Sequence, residues 1–210
     1  MGIMQMLMSG EPVPVPDIGG AYQGGYLAGY ISQTANGVAT HGLILAPKST
    51  GELNKAWKAN NTSTSGTGST YDGAANTANM NDSAHPAAEY CSGLSIGGYT
   101  DWYLPALYEL DIVYQNLKPH TAYNDTSYGI NDYSVPKRIY NRTATNPLQT
   151  SVTLFQSGGA EVLINDFLFS STEYNASEAQ GIYMYTGNYY NSNKSSVTTP
   201  MRAIRKFAVV

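Results

Sequence analysis

Apolar and polar positions follow a strand-like period at both ends of the chain and a helical period in the middle. From Gly19 the run GGAYQGGYLAGYIS spaces Tyr22, Tyr26 and Tyr30 four residues apart, which brings all three to one face of a single strand. A second strand, HGLILAPK, is predicted after a turn at Asn36-Gly37. Residues 59–83 are almost all Ala, Asn, Thr, Ser, Gly and Asp, too few apolar side chains to bury an element, and the expectation is a long loop. A short helix is predicted at Pro86–Leu94, opened by Pro86 and closed by Gly93. A second one spans Ala106–Lys118, where Leu107, Leu110, Val113, Tyr114 and Leu117 recur at three and four and Pro119 ends it. Its periodicity puts Leu110, Val113 and Leu117 in the core and leaves Glu109 and Gln115 in water.

The carboxy-terminal part has three strand-like runs, FLFSSTEY (167–174), GIYMYTGNYY (181–190) and MRAIRKFAVV (201–210). In the middle run Ile182 and Met184 share a face and Tyr183 and Tyr185 take the other, so the tyrosines are expected outside. The last run places Ile204 and Phe207 on opposite faces, which requires a bulge or burial on both sides. Segment 120–166 shows no clear period, only Tyr, Asn and Pro residues of the kind found in loops and short strands. At the other end Glu-Pro-Val-Pro-Val-Pro (11–16) is stiff and extended, because each Pro fixes its own φ and restricts its predecessor. The expected organisation is an apolar arm and spacer at 1–16 and one domain at 17–210.

Composition narrows the chemistry. Eleven Lys and Arg against fifteen Asp and Glu, scattered singly, give a net charge of −4 and no basic footprint, so nucleic acid is not an expected partner. One cysteine, Cys91, allows no intrachain disulfide and no thiolate metal cluster, and it is expected to pack as a small apolar residue. His41, His85 and His120 form no ligand motif, and no nucleophile elbow, phosphate loop or dinucleotide fingerprint occurs. The acidic pairs Asp101 with Glu109 and Glu173 with Glu178 lack the spacing of a Ca²⁺ loop and are expected to be ordinary surface carboxylates. Neither a metal nor a cofactor is expected, and no enzymatic activity. The Asn-x-Ser/Thr triplets at Asn61, Asn124 and Asn141 are what chance gives in a chain this rich in those residues. MGIMQMLMSG lacks a basic start and a cleavage site and is too short to span a bilayer, so it is expected to be neither a signal peptide nor a membrane helix.

The chain has 18 Tyr against four Phe. The densest cluster is Tyr174 and Asn175, then Tyr183, Tyr185, Asn188, Tyr189, Tyr190, Asn191 and Asn193. Tyr supplies contact area at low ordering cost and Asn supplies adaptable hydrogen bonds, so these nine residues are the candidate ligand-binding face. Cross-strand pairing on a solvated sheet is the plainer account of the same residues.

The run from Asn76 to Pro119, with GGYTDWYLP at its centre, then FSSTEYNASEAQGIYMYTGN (169–188) and RAIRKF (202–207), resembles the C-terminal domain family of bacterial collagen-like adhesins. That family is similar to formylglycine-generating enzymes and phage tropism determinants, and belongs with them to the C-type lectin-like fold. The resemblance implies an α+β architecture of mixed or antiparallel sheets, two helices, long loops and paired terminal strands. Gly97, Gly98, Asp101, Trp102, Leu104 and Pro105 match the central motif, with a structural role: a turn, a buried indole and the lead into the helix. Ser171, Thr172, Glu173 and Tyr174 match the later one. Ala106 departs from the family pattern, standing where a capping Ser or Thr is common. The Ca²⁺ motifs of animal lectins and the cysteine pair of the formylglycine-generating enzymes are absent, so neither activity carries over.

Lack of a signal for export points to a protein assembled in the cytosol and released by lysis. The expected function is therefore that of a non-enzymatic receptor-binding protein of a phage tail, contacting a bacterial surface polysaccharide or protein. A bacterial surface adhesin that binds glycans is the alternative, and an enzyme of the formylglycine-generating type, disfavoured by the lone Cys91, is a remote one. Within a virion, Ile3, Met4, Met6, Leu7 and Met8 would dock on other virion proteins, and fibre or tail-tip proteins of this kind are commonly homotrimers.

Overall fold

The computed structural model describes residues 14–128, 130–137 and 143–209. The proposed assembly residues Ile3, Met4, Met6, Leu7 and Met8, the start of the spacer and Asn141 lie outside them. The strands are β1 (Ala21–Tyr22), β2 (Gly25–Ile31), β3 (His41–Leu45), β4 (Glu52–Asn54), β5 (Ser134–Val135), β6 (Phe167–Glu173), β7 (Glu178–Tyr183), β8 (Tyr189–Asn193), β9 (Pro200–Arg202) and β10 (Ile204–Ala208). The helices are α1 (Lys48–Gly51), α2 (Gly73–Ala78), α3 (Pro86–Ser92) and α4 (Leu107–Leu117), with a 3-10 turn at Thr153–Phe155. The architecture is α+β, with few helices and antiparallel pairing throughout the named strands.

The main sheet runs β1-β2-β3-β10, with β5 also paired to β2, so the last strand of the chain pairs with β3 and not, as expected of paired terminal strands, with the first strands β1 and β2. Both faces of this sheet are buried. On one, Leu43, Leu45 and Ile204 meet Leu107, Leu110 and Val113 of α4; on the other, Ile44 and Ala46 meet Ala88 and Cys91 of α3 together with Trp57 and Trp102. Two-sided burial explains the unbroken apolar run of β3 and the poor alternation of β10, whose Ile204 and Phe207 serve opposite cores. The sheet β6-β7-β8 joins from the side, sending Leu168 and Ile182 toward α4 and Phe167, Phe169 and Ala179 toward the second core. Helix α4 reaches the main sheet at Gly29, where an added Cβ would sit 2.5 Å from the side chains of Ile112 and Asn116.

Several expectations are corrected. The single strand expected from Gly19 is a hairpin, reversed at Gln23-Gly24, both of which have positive φ (47° and 86°) as a two-residue hairpin turn requires. A bulge between Leu27 and Gly29 then shifts the faces, so Tyr26 packs on the first core while Tyr22 and Tyr30 pack on the second. The 59–83 stretch contains α2, held by hydrogen bonds rather than apolar side chains: Asp72 accepts from Ala75 N, and buried Asn76 bonds Ser69 O and Ser171 Oγ. The run 181–190 is two strands and a turn, because Gly187 takes φ +74° and the chain folds back. The run 201–210 divides at Ala203, β9 pairing β4 and β10 pairing β3. Only β5 and the 3-10 turn are regular among the described residues of 120–166.

Glu109 and Gln115 are buried, not wet. The amide of Gln115 donates to Asp111 Oδ2, which also accepts from Asn131 Nδ2, so the segment leading into β5 covers that flank of α4 with satisfied polar groups. Glu109 answers the missing cap. Ala106 has no side-chain oxygen, and the helix start is instead completed from elsewhere: Glu109 Oε2 accepts from Ala106 N (2.8 Å) and Gly73 N (3.1 Å), Thr172 Oγ1 accepts from Leu107 N (3.1 Å), and Thr70 O accepts from Tyr108 N (2.7 Å). Tyr103 donates its hydroxyl to Glu109 Oε1.

Trp102 is 2% exposed, its indole N–H bonded to Tyr99 O. Trp102→Ala is expected to cost about 3–5 kcal/mol in urea unfolding, as for other large core aromatics. A variant with wild-type stability would contradict that packing. Burial pushes the Glu109 carboxyl up from 4.5 to about 7. A carboxyl raised in the fold favours the folded state fully below its unfolded value and loses that contribution as pH rises through the folded one. Stability should therefore fall between about pH 4.5 and 7, by roughly 3 kcal/mol at 1.36 kcal/mol per unit. Unfolding of Glu109→Gln across pH 4–8 should show this slope flattened; a slope equal to wild type would assign it to another group.

Candidate functional site

The nine expected binding residues divide among three places. Tyr174 and Asn175 form the β6–β7 turn, where Tyr174 N and Asn175 N donate to Glu178 O and Asn175 Oδ1 accepts from Ser177 N and Glu178 N. This turn lies at the far end of the sheet from the β7–β8 turn, about 20 Å away at the usual rise per residue of β7. Tyr183 and Tyr190 share one sheet face with Phe167, the ring centroids of the two tyrosines 5.5 Å apart. Tyr183 is half-buried against the second core and Tyr190 is exposed, so only the outer tyrosine of this pair is free for a ligand. Gly181 makes room for them, since a Cβ there would meet Phe167 Cζ at 2.3 Å.

Tyr185, Asn188, Tyr189 and Asn191 belong to the third place, whereas Asn193 pairs with Glu178 at the end of β8 beside the β6–β7 turn. The turn after β7 is closed by Gly187 N to Tyr183 O (2.7 Å) and Tyr183 N to Asn188 O (2.9 Å), which leaves Tyr185 at the tip, 45% exposed, its ring 5.4 Å from that of His120. Tyr189 faces the first core and stacks on Tyr128 at 4.9 Å, with Asn191 and Asn193 following it at alternate positions of the edge strand. Asn193 Oδ1 is engaged by Ser195 N and Oγ, which makes it a turn cap.

What completes this third place is the segment that periodicity left unread. Asp125 N donates to Thr186 O at 2.9 Å, joining the 120s to the β7–β8 turn. Asn124, buried, is the anchor: Oδ1 accepts from Tyr114 OH of α4 (2.7 Å), and Nδ2 donates to Thr143 O and Pro147 O. Lys118 is buried too, its ammonium donating to Ala122 O and Pro147 O. Between these strands of loop lies a cleft of about 270 Å³ lined by Lys118, Thr121, Ala122, Pro147, Leu148 and Gln149, among others. Tyr123 and Leu148 stand 74% and 71% exposed, and Tyr128 39%. Tyrosine rings, threonine hydroxyls and amides here can stack, exclude water and donate or accept hydrogen bonds. Sequence reasoning missed His120, Tyr123, Tyr128 and Leu148; nothing in the sequence marks them, since their segment has no period and is no richer in aromatic residues than the chain as a whole.

The motif residues lie elsewhere and are engaged with the fold. Gly97 and Gly98 have positive φ (61° and 84°) and make a two-residue turn closed by Ile96 and Tyr99; a Cβ on Gly97 would meet Gly24 Cα at 2.6 Å. Asp101 receives both Nε and Nη2 of Arg205 (2.6 and 2.9 Å), and this bonding holds its carboxyl below the usual carboxylate range. Leu104 exchanges hydrogen bonds with Thr77 Oγ1, and Pro105 O accepts from Ser171 N. Glu173 accepts from Lys194 Nζ (2.7 Å), Thr67 Oγ1 and Thr64 N. The acidic residues weighed for Ca²⁺ are thus occupied, and no cluster of three metal-ligating side chains occurs among the described residues.

Two other groups could bear chemistry. The Cys91 thiol is fully buried and burial pushes its pKa far up, which suppresses the thiolate. His85 bonds Asp82 Oδ1 through Nδ1 (2.6 Å) and Thr64 Oγ1 through Nε2 (2.8 Å), the connectivity of a nucleophile, base and orienting carboxylate. Thr64 N–H, however, is taken by Glu173, and Thr64 Oγ1 also accepts from Lys58 Nζ. These bonds pin the 59–67 loop. The chain matches no known protein family and no curated protein. Among the described residues no helix is long and apolar enough to cross a membrane.

Asn124→Ala removes three hydrogen bonds, to Tyr114 OH, Thr143 O and Pro147 O, and should cost about 1.5–4.5 kcal/mol at roughly 0.5–1.5 kcal/mol for each. Hydrogen exchange at residues 124–125 and 143–146 should accelerate in step, and unaltered protection there would show that Asn124 does not anchor the loop.

Proposed function

We propose that this protein is a non-enzymatic receptor-binding protein of a phage tail with a C-type lectin-like fold, which contacts a bacterial surface glycan or protein. The observation that carries this reading is the exposed, tyrosine-rich surface where the β7–β8 turn meets residues 120–128 and 143–149, its rings held on rigid roots. Tyrosines on loops pinned by buried hydrogen bonds lose little freedom on binding, which is what a recognition surface needs and a solubility surface does not. The fold assignment is supported by the last strand joining the sheet formed by the first three strands, by α4 packed across that sheet, and by a separate small sheet bearing long loops. The resemblance of the two motifs supports it as well, although β10 pairs with β3 and not with the first strands.

The non-enzymatic part is supported by the engagement of each candidate nucleophile: Cys91 is buried as a thiol and Thr64 is bonded on every side. The phage setting is supported by the resemblance, and an adhesin of a bacterial surface would use the same face.

Tyr128 and Tyr185 are the pair to test, in preference to Tyr183, whose truncation would open the second core. The double variant Tyr128→Ala, Tyr185→Ala should melt within a few degrees of wild type, since exposed substitutions shift stability by about half a kcal/mol each. Its binding to bacterial cells or to purified surface polysaccharide should drop about thirtyfold, the equivalent of 2 kcal/mol lost at a central interface tyrosine. Equal binding by the folded double variant would remove this surface from recognition.

A further inference from the structure

Tyr71 and Tyr133, far apart in the chain, lie face to face, with ring centroids 4.3 Å apart and planes within 8° of parallel. Tyr108 continues the stack on the other side of Tyr133, at 5.7 Å and 26°. All three rings are half-buried, reachable by a small oxidant or by loss of an electron at their edges yet shielded from other protein molecules. The backbones that carry them are fixed. Tyr133 N donates to Asn131 Oδ1, and Asn131 Nδ2 donates in turn to Tyr108 O and Asp111 Oδ2 of α4; Tyr133 O accepts from Ser32 N. Tyr71 follows Thr70, whose carbonyl accepts from Tyr108 N, and precedes Asp72, whose carboxylate caps α2 and bonds Lys206. Such a parallel contact is already close to the geometry in which two phenoxyl rings couple, because the p orbitals of ring carbons point at each other across the stack.

We propose that Tyr71 and Tyr133 are an oxidative cross-linking site, joined by a one-electron oxidant of the peroxidase class into an intrachain dityrosine. Each phenol gives up one electron and one proton and becomes a phenoxyl radical. The two radicals form one carbon–carbon bond between ortho positions, and each ortho hydrogen then passes through solvent to its phenolic oxygen, which restores both aromatic rings. The protein loses two hydrogens, and one hydrogen peroxide is reduced to two waters. Tyr108 is placed to relay an electron from Tyr133 when oxidation begins at either ring. The bond would tie the loop before α2 to the segment before β5, in a chain whose single cysteine can form no internal disulfide. Closing so long a stretch of chain restricts the unfolded state and raises the melting temperature. This inference does not depend on the receptor-binding reading.

The test is to treat the folded full chain, dilute, with a peroxidase and hydrogen peroxide, following dityrosine fluorescence and mapping cross-linked peptides by mass spectrometry. The expected product is one intrachain link between the peptides of Tyr71 and Tyr133, two hydrogens lighter than their sum, in a monomer that melts higher than the untreated protein. Tyr71→Phe and Tyr133→Phe keep the stacked ring but cannot form the radical, and each should lose most of the intrachain product while melting like wild type before treatment. Tyr108→Phe should leave the same pair linked. A link mapped to any other pair, a product found only between molecules, or an undiminished yield in Tyr71→Phe would overturn the proposal.

Discussion

The buried amino terminus of α4 is the constraint on which the rest of the structure depends. A helix that begins on alanine inside a protein leaves backbone N–H groups that water cannot reach, and each left unpaired costs about 1–3 kcal/mol. They are satisfied only if Thr172, Thr70 and Gly73 arrive at the same point, with Glu109 turned back over Ala106. Placing Thr172 fixes β6, whose Ser171 is bonded to Pro105; placing Gly73 fixes the start of α2, whose Thr77 is bonded to Leu104. The two sequence motifs, distant in the chain, therefore meet as halves of one capping arrangement. A missing cap residue is better understood here as a demand for tertiary partners than as a weak helix.

The other end of the same helix sets the exposed surface. Tyr114 and Lys118 sit on and just after the last turn of α4, and through Asn124, Ala122 and Pro147 they hold the loops that flank the β7–β8 turn. Lys118, the residue that closes the helix, turns its ammonium to the loop carbonyls of Ala122 and Pro147. Rigid roots below and exposed rings above are thus two consequences of one helix being anchored at both ends.

How much of this the sequence could disclose depended on whether an element declares itself through apolar side chains. Helices α3 and α4 did, with Pro86 and Gly93 bounding one and Leu107 to Leu117 marking the other, and so did β3 after its Asn36-Gly37 turn. Helix α2 did not, since its cohesion comes from Asp72, Asn76 and Thr77, residues that composition assigns to loops. The Tyr22, Tyr26 and Tyr30 spacing misled because one extra residue in β2 exchanges the faces of everything beyond it. At Glu109 and Gln115 polarity does not mean exposure, because each is covered by an element whose approach leaves no local trace. The candidate site was half visible: the tyrosines of β7 and β8 stand out, but the loop residues that select among them are positioned by Asn124, and a buried asparagine looks like any other in a chain full of them.

The distribution of charge fits the proposal that recognition falls to tyrosine and asparagine. Arg202 is spent on Glu161 and Ala46 O, Arg205 on Asp101, Lys194 on Glu173 and the face of Trp57, and Lys118 on backbone carbonyls. Each of these cations joins segments that apolar packing alone would leave loose, and each is withdrawn from the surface by doing so. In a chain with so few charges, little remains to steer a partner from a distance. Contact must then be won at short range, by ring faces, hydroxyls and amides that are in place before the ligand arrives. That requirement is met where loops are pinned from beneath, and the surface above the end of α4 is such a place.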